Sequence, residues 1–340
     1  MESKPGTKNW YNQVNEKIIE PERPIVDPHH HLWVMNPFNE GAPYLLEDLW
    51  TDTETGHNIQ KTVFIECNSN YLEDGPEHMK PVGETKFVAE IAKQSFNKSG
   101  KASISAIVSH ANLTLGEKLN DVLDAHEEFG QGLFRGIRHA GASHPNPDEA
   151  YFFPGSYHPK QFLQEDFQAG VRLLGKRGYT YESWHYHFQL KNFYTLAKAV
   201  PDTIIILDHF GSPLGTKSYK GQSKVIFEQW KKDINSLASC PNVYAKLGGL
   251  AQPDNGFGWQ DAEKPATSDD LVKAQKHYYL YTIEAFGVER CMFESNFPVD
   301  KLSIAYPIFW NACKKMVADF SENEKEALFH GTASRVYKLN

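Results

Sequence analysis

Short apolar runs rich in β-branched residues, bounded by Gly, Pro, Asn or Asp, recur along the chain and alternate with stretches of helical periodicity. The runs predict strands over 25–28, 62–67, 103–108, 134–139, 180–184, 203–208, 243–247 and 291–295. Helices are predicted over 83–95, 117–129, 164–177, 190–200, 227–239, 268–286 and 304–319. In 83–95, Phe87, Ile91 and Ser95 recur at four-residue spacing. In 117–129, Leu119, Val122, Leu123 and His126 share one face. Eight strands alternating with helices imply parallel βαβ units closed into a (β/α)8 TIM barrel. The barrel is expected as a single domain over 23–340, preceded by a polar N-terminal arm over 1–22 that carries Pro5 and Pro21. A doubly wound open sheet is the competing architecture, but no G-x-G-x-x-G follows the first strand. Two long insertions, 141–159 and 248–267, follow the fourth and seventh strands. In a barrel both fall on the C-terminal face, where active sites are built.

Composition narrows the class. Of 340 residues, 40% are hydrophobic and 23% charged, an ordinary globular balance, and no 18-residue apolar run predicts a membrane span. Lys and Arg number 35 against 43 Asp and Glu, so the net charge of -8 argues against nucleic acid as a partner. Cys67, Cys240, Cys291 and Cys313 are far apart with no C-x-x-C pair, which argues against a disulfide framework or zinc ribbon and suggests reduced thiols. The polar N-terminus lacks the apolar core of a signal peptide, so a cytoplasmic protein is expected.

The chemistry concentrates at strand ends. V-D-P-H-H-H-L-W over 26–33 supplies His29 and His31, which alternation points to one side with His30 on the other. Two imidazoles so placed grip a divalent metal or polarise a substrate oxygen, unless they are a surface cluster. His187 follows the fifth strand beside His185, and His209 ends the apolar sixth in I-I-I-L-D-H-F-G-S-P. Lys246 lies in the otherwise apolar seventh strand, where a buried cation needs a carboxylate or an anionic ligand; the alternative is a lysine snorkelling at the edge. Glu66 on the second strand, Arg135 and Arg138 on the fourth, and Glu294 with Asn296 on the eighth complete the set. Each of these is read either as part of a site for a carboxylate-bearing ligand or as an ion pair bracing the barrel.

The set D-x-H-x-H, F-R-G-I-R-H, L-D-H-F-G-S-P, V-Y-A-K-L-G-G-L and M-F-E-S-N-F-P-V-D resembles the amidohydrolase-2 family of TIM-barrel hydrolases over most of the chain. The likeness is nearest to its lactonase branch, which includes 2-pyrone-4,6-dicarboxylate lactonase, fuconolactonase and 4-sulfomuconolactonase. The resemblance places the family histidines on His29, His31 and His209, its lysine on Lys246 and its arginine on Arg138. The strand-eight aspartate of the family, general base and metal ligand, falls on Asn296, a neutral amide. Glu294, Asp300 or a histidine is left to replace it.

The resemblance implies a hydrolase that opens a lactone or related cyclic ester of a small carboxylate-bearing molecule by attack of water. In it His29, His31, His209, Glu294 and Asn296 are catalytic, and Arg138, His187, Lys246, Glu66 and Trp259 bind substrate. Aromatic loops over 151–157 and 257–259 would close on the ring. The family covers enzymes with one divalent metal, zinc or manganese, held here by His29, His31 and His209, and lactonases with none. A small molecule is the expected partner, with no nucleic acid or membrane, and a homodimer is compatible. Two other readings are a metal-dependent non-oxidative decarboxylase of an aromatic or unsaturated acid, and a ligand-binding barrel that has lost catalysis.

Overall fold

Each of the eight apolar runs forms a strand in the computed structural model, which describes residues 5–149 and 158–339. They are β1 (Pro24–His30), β2 (Asn58–Ile65), β3 (Ser103–Ser109), β4 (Phe134–Arg138), β5 (Thr180–Ser183), β6 (Ile205–Leu207), β7 (Val243–Leu247) and β8 (Cys291–Phe293). Neighbours in sequence pair in parallel, in the order β1 to β8. The circle is completed just past β8: His30 bridges Phe297, the His31 amide donates to the Phe297 carbonyl at 2.9 Å, and the Asn296 amide donates to the His29 carbonyl at 3.1 Å. The architecture is a single-domain (β/α)8 barrel.

The outer layer follows the helical periodicity, with shifts at the ends. Val82–Phe96 and Lys118–Phe129 match expectation closely, Ser268–Phe286 matches it fully, and Ser223–Ala238 begins four residues before the predicted 227. Several short elements escape the periodicity reading, Lys8–Tyr11 in the N-terminal arm among them. Leu46–Thr53 buries Leu46, Leu49, Trp50 and Thr53, and its eight residues span barely two turns. Glu322–Glu326 opens with a Ser321–Glu324 capping box and runs through a π segment, Ala327–Gly331, into Thr332–Val336.

That C-terminal segment matters for the interior. Ala333, Val336 and Tyr337 pack with Val26, Val63, Ala106, Ile206 and Met292, the inward side chains nearest the strand starts. The barrel floor is thereby an apolar plug. The N-terminal arm is tied down separately. Trp10 is fully buried with its indole N–H on the Ala262 carbonyl, and Lys314 Nζ donates to the carbonyls of Ile19 and Glu20, each at 2.9 Å.

Candidate active site

Strand alternation carries the chain from the apolar floor into a charged layer. Two residues beyond Ile206, Tyr244 and Met292, on the same inward side, stand Asp208, Lys246 and Glu294; β4 and β5 contribute Arg138 and Glu182 in register with one another. Glu182, Asp208, Lys246 and Glu294 are fully buried. Lys246 Nζ donates to Glu182 Oε2 at 2.5 Å and lies 3.3 Å from His29 Nδ1 and 3.7 Å from Asp208 Oδ1. Among the described residues both oxygens of Asp208 lack a hydrogen-bond partner, with Arg138 Nη1 standing 3.8 Å from Oδ2.

The histidines converge on Glu294. His209 Nδ1 donates to Glu294 Oε1 at 2.7 Å, and His29 Nδ1 lies 2.6 Å from Oε2. Glu294 Oε1 thereby fixes the His209 ring, while Oε2 makes no hydrogen bond with His29 among the described residues. His29 Nε2 is 3.2 Å from His31 Nε2, and His31 Nδ1 donates to the Ile65 carbonyl at 2.8 Å. His30 turns away to Thr62 Oγ1 at 3.1 Å, as alternation requires. Burial holds the three site imidazoles neutral: His209 falls to about 3, and His29 and His31 lie well below the ordinary histidine value.

Local backbone makes room for this packing. His209, Phe210, Gly211 and Ser212 form a consecutive left-handed run with φ of 52°, 59°, 67° and 36°, a costly conformation of the kind found at functional sites. The glycine pair after β7 is equally constrained. A Cβ at Gly249 would lie 2.1 Å from His209 Nδ1, and one at Gly248 would lie 2.0 Å from the Glu294 carbonyl oxygen. The G-G of the β7 motif is therefore the space that His209 and Glu294 occupy.

Asn296 sits at φ 57°, which asparagine tolerates, and its Nδ2 donates to Asp300 Oδ1 at 2.8 Å. Asp300 Oδ2 accepts from the Ala251 amide at 3.1 Å, so both oxygens of Asp300 are engaged.

Arg138 is brought to the cluster but its fork is largely occupied. Nε donates to Glu66 Oε1 at 2.8 Å, Nη2 donates to the Glu66 carbonyl, and Nη1 lies 3.3 Å from His29 Nε2. Arg135 lies elsewhere: it donates to the Tyr337 carbonyl at 2.7 Å on the barrel floor. His187 stands apart from the charged layer, in an aromatic group with Phe188 and Tyr219, and its Nδ1 accepts from the Leu214 amide at 3.3 Å. Trp259 stacks on Phe257 with ring centroids 4.7 Å apart. Phe257 lines a cleft of about 400 Å³ with Tyr219, Phe227 and Tyr278, a cleft that the charged cluster does not line. Residues 151–157 lie outside the described residues.

Sequence reasoning missed Glu182, Asp208 and Glu84. Glu84 secures the loop after Glu66 by accepting from the amides of Ser69 and Cys67, at 2.7 and 3.1 Å. For Asp208 a signal was present: it continues a period-two inward series from Ile206 of the apolar floor, whereas Glu182 follows the polar Thr180 and has no such lead-in.

The cluster holds four carboxylates, Glu66, Glu182, Asp208 and Glu294, against the cations Arg138 and Lys246. Burial pushes Asp208 up to about 7 and Glu294 up to about 8, which is one way to relieve the excess negative charge. A divalent cation is the other. Ligand atoms of His29, Asp208 and His209 lie within 4.8 Å of one another. The 3.2 Å between the Nε2 atoms of His29 and His31 is near the roughly 3.3 Å edge of a tetrahedral zinc site. Neutral imidazoles with an unpartnered buried carboxylate are a donor set that suits zinc or manganese.

The amidohydrolase family profile matches residues 26–339. The chain belongs to the amidohydrolase family. It is 32% identical over 333 residues to the uncharacterized protein y4mH of Sinorhizobium fredii, covering 93% of this chain and 98% of that one. It is 26% identical over 258 residues to the L-fucono-1,5-lactonase of Burkholderia multivorans, covering 75% and 77% respectively. Among solved structures, a zinc-bound amidohydrolase from Burkholderia multivorans superposes with a TM-score of 0.72 at 21% identity, over 94% of this amidohydrolase and 100% of that chain. The lactonase likeness of the strand-end motifs thus has a curated counterpart.

Proposed function

We propose that this amidohydrolase opens a lactone or related cyclic ester of a small carboxylate-bearing molecule by attack of water at the carbonyl. The observation that carries the reading is Asp208: a fully buried carboxylate with no hydrogen-bond partner among the described residues, set between Lys246 and Arg138 and grouped with His29 and with His209, which Glu294 orients. The similarity to an L-fucono-1,5-lactonase supports the substrate class. The net charge of -8 favours a small-molecule partner over nucleic acid, and a cytoplasmic location is part of the proposal.

In this mechanism Asp208 takes a proton from the attacking water as its oxygen bonds to the carbonyl carbon. Lys246 and Arg138, 3.7 and 3.8 Å from Asp208, hold the negative charge that develops on the carbonyl oxygen. The ring C–O bond then breaks, and the proton on Asp208 passes to the departing alkoxide, leaving a hydroxy acid. Glu294 keeps the ring of His209 in place. His29, His209 and Asp208, with His31 beside them, are the residues that would hold a zinc or manganese ion, which when bound supplies Lewis-acid polarisation of the carbonyl. Asn296, held by Asp300, presents a neutral amide where the family carries its base.

The test is a panel of sugar 1,5-lactones and pyrone carboxylates followed with a pH indicator, using wild type, Asp208→Asn and His209→Asn. Hydrolysis by wild type that both variants lose is the expected result. Wild-type rates in both variants would overturn the mechanism. Inertness toward every lactone, with chelator-sensitive CO2 release from an aromatic acid, would replace the reading with the decarboxylase.

A further inference from the structure

Lys246 has a choice of carboxylates. Its Nζ is 2.5 Å from Glu182 Oε2 and 3.7 Å from Asp208 Oδ1, and every one of these groups is buried. In a low-dielectric interior the lysine binds whichever carboxylate is held within reach, since leaving it unpaired is costly. What holds Glu182 comes from the far side of the barrel. Tyr337, three residues from the chain end, donates its hydroxyl to Glu182 Oε1 at 2.6 Å.

Tyr337 is itself rigidly placed. Its ring is fully buried in the floor plug, its carbonyl accepts from Arg135 Nε at 2.7 Å, and Lys246 Nζ lies 5.6 Å from the ring centroid. The hydroxyl is the hydrogen-bond donor to Glu182 Oε1, and Lys246 is the donor to Oε2. Without the hydroxyl, one oxygen of a buried carboxylate loses its partner, and Glu182 gains a reason to turn. Lys246 is then free to close on Asp208, whose unpartnered state the proposed chemistry requires.

We propose that Tyr337 is a positioning residue: from the C-terminal plug it fixes Glu182, which keeps Lys246 off Asp208. The activity arm of the test rests on the proposed function; the spectroscopic arm does not. Protein carrying 13Cε-labelled lysine is compared as wild type, Tyr337→Phe and Val336→Ala, with the Lys246 resonance identified by its loss in Lys246→Met. Val336 lies in the same plug and serves as the packing control.

Tyr337→Phe is expected to move the Lys246 resonance and to lower kcat about 10-fold at unchanged KM, as expected for a misplaced group. Val336→Ala is expected to lower stability and leave the resonance in place. In the Lys246→Met background, Tyr337→Phe is expected to have no further effect on kcat. A Lys246 resonance that stays put in Tyr337→Phe, or that moves equally in Val336→Ala, would overturn the proposal. A resonance that moves only in Tyr337→Phe, in an enzyme that opens no lactone, would uphold the positioning role while removing the hydrolase reading.

Discussion

Asn296 donates its side-chain amide to Asp300 Oδ1 across 2.8 Å, inside the loop that closes the barrel. The amide is matched to that partner. An aspartate at 296, the residue that the family resemblance leads one to expect there, would face a second buried carboxylate at hydrogen-bond distance. Asp300, pushed up to about 8 chiefly by burial, already resists ionisation. Asn296→Asp is therefore expected to destabilise the fold by about 2 kcal/mol at neutral pH. The deficit should grow as pH rises, because at low pH a shared proton still bridges the pair. Thermal midpoints of variant and wild type between pH 5 and pH 9 provide the check, and a constant difference would show that the two carboxyls do not face one another.

Asp208→Asn separates function from stability. The change removes a buried charge whose oxygens have no hydrogen-bond partners, so folding stability is expected to hold or rise. Lactone hydrolysis is expected to fall about 100-fold or more, the usual range for a lost proton acceptor. Loss of both stability and activity would mean that Asp208 braces the barrel.

Gly249→Ala tests the space that seats His209. The new Cβ would lie 2.1 Å from His209 Nδ1, at a backbone φ of 71°. Displacement of His209 should break its bond to Glu294, with a loss of at least about 2 kcal/mol in stability and a large fall in kcat. Denaturant unfolding and kinetics on the purified variant measure both; a wild-type profile would contradict the geometry.

His126 supplies a pH dependence remote from the site. It is fully buried, with Nδ1 2.8 Å from Thr85 Oγ1 and Nε2 3.0 Å from the His110 carbonyl. Burial lowers it from 6.5 to about 4. Below pH 6.5 the unfolded chain takes up a proton that the folded chain refuses, so stability is lost as pH falls from 6.5 toward 4. One such histidine accounts for about 3 kcal/mol over that window. His126→Gln is expected to flatten the fall, measured as the difference in unfolding free energy between pH 7 and pH 4.5.

Metal content is the remaining direct measurement. Protein prepared without added metal or a histidine tag is expected to carry about one zinc or manganese per chain, given the donor set and the excess of carboxylates. His209→Asn and Asp208→Asn should each reduce that content. Retention in both would place any ion elsewhere.

The sequence by itself determined the barrel and the strand-end chemistry. Eight short apolar runs alternating with helical stretches, with no G-x-G-x-x-G after the first, pointed to a closed parallel barrel, and H-x-H at the end of β1 puts His29 and His31 on one side because of strand alternation. The same periodicity, carried two residues past Ile206, Tyr244 and Met292, locates Asp208, Lys246 and Glu294 in one inward layer. Pairing within that layer was decided by the tertiary structure alone. Arg138 could as well have met a ligand as Glu66, and Lys246 could have chosen among Glu182, Asp208 and Glu294. Glu294 meets the ring of His209 because Gly248 and Gly249 leave room for that packing. Tyr337 reaches Glu182 only because a terminal segment folds under the floor. Local pattern fixes which way a side chain points; which of several charges it meets depends on contacts between residues 72 to 217 positions apart, as in Arg138–Glu66 and Lys246–His29.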